Sequence, residues 1–113
     1  MGGTVEATVV GPSEIQEAAE ALAHHARSPA RVILFGSAGR DQMGPHSDLD
    51  FLEIEEDLDD AVEEAARLRR VLPPLGVSVD VLTISEAEAE RRRHWPGSVI
   101  KVALAEGKLV AQS

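Results

Sequence analysis

Four residues in the middle of the chain have the types and spacing to do chemistry together: Gly36, Ser37, Asp48 and Asp50. Ten residues, Ala38 to Ser47, separate the Gly-Ser pair from the first aspartate. Side chains two apart on a strand point to the same face, so Asp48 and Asp50 project side by side. Adjacent carboxylates resist joint ionisation unless a cation lies between them. A hard divalent ion such as Mg²⁺, held by one or two carboxylates and by substrate phosphates, resolves that conflict. Gly36 gives the backbone room to turn and lets a bulky ligand approach. Ser37 and the residues after it offer N–H groups and a hydroxyl to phosphate oxygens. A phosphate-cradling turn beside a metal-holding Asp-x-Asp points to nucleotidyl transfer.

A third acid enters further on. The run Val77–Leu82 is β-branched and apolar except for Ser78 and Asp80. A lone aspartate in a buried strand is costly unless paired or bound to metal, so Asp80 is expected to join Asp48 and Asp50. Other polar clusters read as surface. His24 and His25, adjacent on a helix, point about 100° apart and cannot converge on a metal. Glu53, Glu55 and Glu56 are expected to be a solvated acidic strand end. Arg91, Arg92 and Arg93 form a solvated run on a surface helix.

The spacing from Gly36-Ser37 to Asp48-x-Asp50 resembles the signature of the DNA polymerase β-like nucleotidyltransferase superfamily. More narrowly, the chain is similar to the minimal nucleotidyltransferases, the antitoxin halves of HEPN/MNT toxin–antitoxin pairs. Arg40 falls where that family carries an arginine, and Asp41 stands where it often has glycine. The likeness runs from about Ser13 to the C-terminus. It implies two Mg²⁺ ions on Asp48, Asp50 and Asp80, with Asp80 also helping to deprotonate the attacking hydroxyl. It implies ATP as substrate, bound through Gly36, Ser37 and Arg40. It implies AMP transfer to a tyrosine hydroxyl of a HEPN-domain toxin. Two alternatives stand beside this: a binding module that neutralises its partner by steric cover, and a transferase acting on a small-molecule acceptor through a homodimer.

The elements that must position these residues follow from pattern. Arg31–Phe35 is a short apolar strand leading into Gly36. Before it, Ser13 is expected to start a helix through a capping box with Gln16, burying Ile15, Ala18, Ala19, Leu22 and Ala26. Residues 1–12 read as an arm or extra strand, with Thr4–Val10 as its candidate strand, and residues 13–113 as the transferase domain. After the aspartates, Asp57, Asp59 and Asp60 suit the first turn of a second helix. Its apolar stripe is Leu58, Ala61, Val62, Ala65, Leu68 and Leu72. Ser85 is expected to cap a short helix with Glu88 at the capping-box position. Ser98–Glu106 reads as a last helix closed by Gly107, and Lys108–Ala111 as a last strand. The sum is an α/β (α+β) domain with a small mixed sheet flanked by helices; by resemblance it is the nucleotidyltransferase fold.

Composition narrows the partners. The 113 residues suit one domain, 43% are hydrophobic, and there is no cysteine for disulfide or thiol chemistry. No leader pattern or membrane-length apolar run is visible, so a cytoplasmic protein is expected. The net charge of -9 opposes direct nucleic-acid binding and favours a neutral or basic protein partner. Larger relatives carry a second domain for the acceptor. The expectation here is that another copy or another protein supplies that surface.

Overall fold

The structure is a computed structural model, and it describes residues 11–36 and 48–113. The candidate strand Thr4–Val10 therefore lies outside the described residues. In order, the described elements are α1 (Pro12–His25), β1 (Ala30–Phe35), β2 (Leu49–Glu55), α2 (Ala61–Arg69), β3 (Val79–Ser85), α3 (Glu86–Arg92), α4 (Val99–Glu106) and β4 (Lys108–Gln112). Four strands form one mixed sheet in the order β3-β2-β1-β4. β1 pairs antiparallel with β2 and β4, and β2 pairs parallel with β3. The parallel pair needs a crossover, which α2 provides.

Alternation along the strands divides the core in two. Val32 and Leu34 of β1, with Leu49 and Phe51 of β2, pack with Ala18, Ala19 and Leu22 of α1 and Leu68 of α2. On the other face Ile33, Phe35, Leu52, Ile54 and Ile84 pack with Ala89 of α3 and Ile100 and Ala103 of α4. β2 is buried on both faces because it lies inside the sheet, covered by helices on each side.

The helix ends mostly follow local chemistry. The Asp60 carboxylate accepts from Glu63 N–H at 3.0 Å, and the Ser85 hydroxyl accepts from Glu88 N–H at 3.1 Å. Ser98 caps α4 in the same way. α1 differs from expectation. Gly11 is its N-cap and Pro12 its first residue, with no side-chain cap bond. Proline is pre-shaped for that position and lacks an N–H to satisfy, so the helix starts before Ser13 can cap it. Gln16 instead donates to Val110 O at 2.7 Å, fastening α1 to β4.

Two further expectations fail. Val62 is 81% exposed and lies off the buried stripe of α2. Glu53 and Glu55 are fully buried, and of that acidic group only Glu56 is exposed. β2 continues through them, and its inner row runs Leu49, Phe51, Glu53, Glu55. Gly107 closes α4 with an ordinary negative φ. What requires glycine is space: a Cβ there would stand 2.5 Å from Ala103 O, 2.6 Å from Ile33 Cγ2 and 2.9 Å from Leu34 O. No described helix is long and apolar enough to cross a membrane.

Candidate active site

β1 ends at Phe35, whose register partner on β2 is Asp50. Gly36 then leaves the strand at φ +74°, a left-handed conformation that glycine adopts without a steric penalty. The turn presses against the acid, since a Cβ on Gly36 would lie 2.5 Å from Asp50 Oδ2. On the far side of β2, Asp80 of β3 is the register partner of Asp50. In-register neighbours on adjacent strands present their side chains on the same face. The register holds from Leu49↔Val79 onward, and Leu49 N–H donates to Ser78 O at 2.9 Å where the two strands begin.

Asp48 immediately precedes β2 and is exposed. Its charge reaches Asp50, whose carboxyl is held above the ordinary carboxylate range. Burial is the largest cause, followed by repulsion from Asp80 and then from Asp48. Asp80 and Asp48 thus lie near enough to Asp50 to repel its charge, beside a glycine turn, and each added negative charge makes ionisation of the next harder. Carboxylate oxygens are the donors that Mg²⁺ selects, although the only described acidic group with ligand atoms all within 4.8 Å of one another is Glu53, Glu55 and Glu64. Asp48, Asp50 and Asp80 are the residues that would hold Mg²⁺ here.

Of the expected site residues, Gly36 lies against Asp50, Asp80 is the register partner of Asp50 and Asp48 is within electrostatic range of it, while Ser37 and Arg40 lie outside the described residues. The reason offered for Asp80 needs correction. β3 is an edge of the described sheet and Asp80 is exposed, so burial cost does not explain it. What the structure shows instead is that Asp80 stands in parallel register with Asp50. His24 and His25 are exposed, as expected, and His25 Nδ1 lies 3.0 Å from Ala21 O. The three consecutive arginines pair along their own helix. Arg91 and Arg92 meet Glu88, and Arg93 meets Glu90.

Comparison with known proteins agrees with this fold. A family model described as "Nucleotidyltransferase domain" matches residues 15–110. The chain belongs to the nucleotidyltransferase domain family. Its fold is similar to that of a candidate nucleotidyltransferase from Sulfolobus solfataricus, known from a crystal structure. The TM-score is 0.56 at 20% sequence identity, over 95% of this chain and 88% of that one. Among curated proteins none matches the chain.

Proposed function

We propose that this nucleotidyltransferase is an antitoxin. It would transfer AMP from ATP to a protein hydroxyl, a tyrosine of a HEPN-family toxin. The observation that carries the catalytic part is the register of β2 and β3. It sets Asp50 beside Asp80, with Asp48 in range and the Gly36 turn against Asp50. Bound to these carboxylates, Mg²⁺ would neutralise charge on the α-phosphate and on the departing pyrophosphate.

The chain's own residues have separable tasks. Gly36 keeps the phosphate side of the site free of a side chain. Ser37 and Arg40 supply donors to the β- and γ-phosphates. Asp80, exposed on the outer strand, takes the proton of the incoming hydroxyl. The hydroxyl oxygen then bonds to the α-phosphorus. The bond from that phosphorus to the bridging oxygen breaks, and pyrophosphate leaves with the electron pair.

Two features favour a protein as acceptor. The net charge of -9 suits a basic partner. Beside the Asp80 strand, Val62 at 81% exposure and Leu82 at 39% border an apolar groove of about 270 Å³. Such a groove offers apolar contact to a protein partner. AMP added near an RNase site would put bulk and negative charge where RNA phosphates must bind. Intact-mass spectrometry of the toxin after incubation with this protein, ATP and Mg²⁺ tests the proposal. The toxin is expected to gain one or more AMP units. An unchanged mass, with the toxin still neutralised by Asp48→Asn/Asp50→Asn, would indicate steric cover instead.

A further inference from the structure

The face of β2 turned away from Asp48 and Asp50 carries a second set of carboxylates. Glu53 and Glu55 of β2 and Glu64 of α2 are all fully buried. One oxygen from each lies within 4.8 Å of the other two. Glu64 is well partnered. Arg67 donates to it through Nε at 3.0 Å and Nη2 at 2.8 Å, and Arg27 N–H reaches it at 3.3 Å. Burial alone would raise its pKa, but the hydrogen bonds from Arg67 lead a set that pulls it below the usual value.

Glu53 and Glu55 have no such support. Their four carboxylate oxygens are the only buried side-chain oxygens or nitrogens without a hydrogen-bond partner among the described residues. A hydrogen bond between the two needs a proton on one of them. Burial drives both toward that protonated form, Glu53 to about 9 and Glu55 to about 7. A divalent cation is the other way to compensate two buried negative charges, and it supplies two positive ones. The spacing suits it, since oxygens on opposite sides of a calcium-sized ion lie roughly 4.6–5.2 Å apart. Glu64 can take part while bonded to Arg67, because each carboxylate oxygen has more than one acceptor direction.

There is also a route in. A cavity of about 380 Å³ has Glu55 and Glu64 on its wall and Asp57, Asp59 and Asp60 among the residues around it. Arg27 also lines the cleft and pairs with Glu63 and Glu64, but the carboxylates outnumber it, and a predominantly acidic cleft concentrates cations. We propose that Glu53, Glu55 and Glu64 form a binding site for a hard divalent cation, which ties α2 to the inner row of β2. It lies on the opposite face of β2 from the Asp48/Asp50 pair.

Mn²⁺ alone is the probe, titrated at pH 8 into the chain carrying Asp48→Asn/Asp50→Asn, with free ion followed by electron paramagnetic resonance. One Mn²⁺ per chain is expected, with a rise in Tm of about 5 °C or more at saturation. Adding Glu53→Gln/Glu55→Gln should abolish both effects while leaving a folded chain, because glutamine reproduces the neutral carboxyl. Should that variant not fold, Glu55→Gln alone is expected to weaken Mn²⁺ binding at least tenfold. Absence of bound Mn²⁺, or binding and Tm shift unaltered by the glutamines, would overturn the site. Transfer activity does not enter this readout.

Discussion

Gly36→Ala separates catalytic geometry from stability. The new Cβ would stand 2.5 Å from Asp50 Oδ2. Ordinary contacts at such a position begin near 3.4 Å, so the carboxylate must retreat by about 0.9 Å (3.4 − 2.5). A side-chain oxygen moves more easily than backbone, so the fold tolerates this. The remaining cost is the left-handed backbone at φ +74°, about 1–2 kcal/mol for a residue with a Cβ. For a domain of this size that lowers Tm by roughly 4–15 °C. The site suffers more, because a misplacement of about 1 Å costs on the order of 100-fold in rate. Transfer from ATP under single-turnover conditions, alongside thermal unfolding, measures both. The expected outcome is a folded protein with a rate down about 100-fold. A variant destabilised as calculated yet fully active would refute the claim that Gly36 holds Asp50 in its working position.

The contrasting glycine is Gly107, whose added Cβ would meet the backbone oxygens of Ala103 and Leu34 and the side chain of Ile33. Gly107→Ala should cost on the order of 1–3 kcal/mol, read by urea denaturation, while the rate per folded molecule is unchanged. Asp80→Asn should lower kcat by 100-fold or more and alter ATP affinity much less, because a proton acceptor acts in the transition state. Equal losses in both, by calorimetry and rapid-quench kinetics, would return Asp80 to a binding role. Stability without divalent cation should fall with rising pH. Burial holds Glu53 near 9 and Glu55 near 7 in the folded chain, against 4.5 for the ordinary group. The folded state therefore keeps protons that the unfolded state has already lost. This stabilisation is complete below about 4.5 and disappears as pH rises to about 9, through groups facing Glu64 and Arg67. Urea midpoints should decline steadily from pH 5 to 9, and Glu53→Gln/Glu55→Gln should flatten the decline.

The sequence made the center of the site readable because its determinants are local. Period-two geometry places Asp48 with Asp50, and a glycine after an apolar strand marks the turn. Asp80 stood out as a polar residue in an apolar run. Its partner, however, is set by the register across α2, which no local pattern encodes. Glu53 and Glu55 depart from the expected solvated strand end because strand alternation continues the row of Leu49 and Phe51 inward. The groups that answer them, Glu64 and Arg67, come from α2 through the same tertiary packing. The start of α1 was decided by Pro12, whose fixed φ outweighs the side-chain bond Ser13 could make. Val62 followed helical spacing on paper, but α2 turns it outward beside the β3 edge.

The most direct measurement of the central claim uses ATP labelled in turn at the α- and the γ-phosphorus, with the proposed partner toxin and Mg²⁺. If Asp48, Asp50 and Asp80 direct nucleotidyl transfer, the α-label becomes covalently attached to the toxin. The γ-label leaves as pyrophosphate, and Asp48→Asn/Asp50→Asn abolishes labelling. Attachment of the γ-label, or α-labelling undiminished in the double variant, would contradict it.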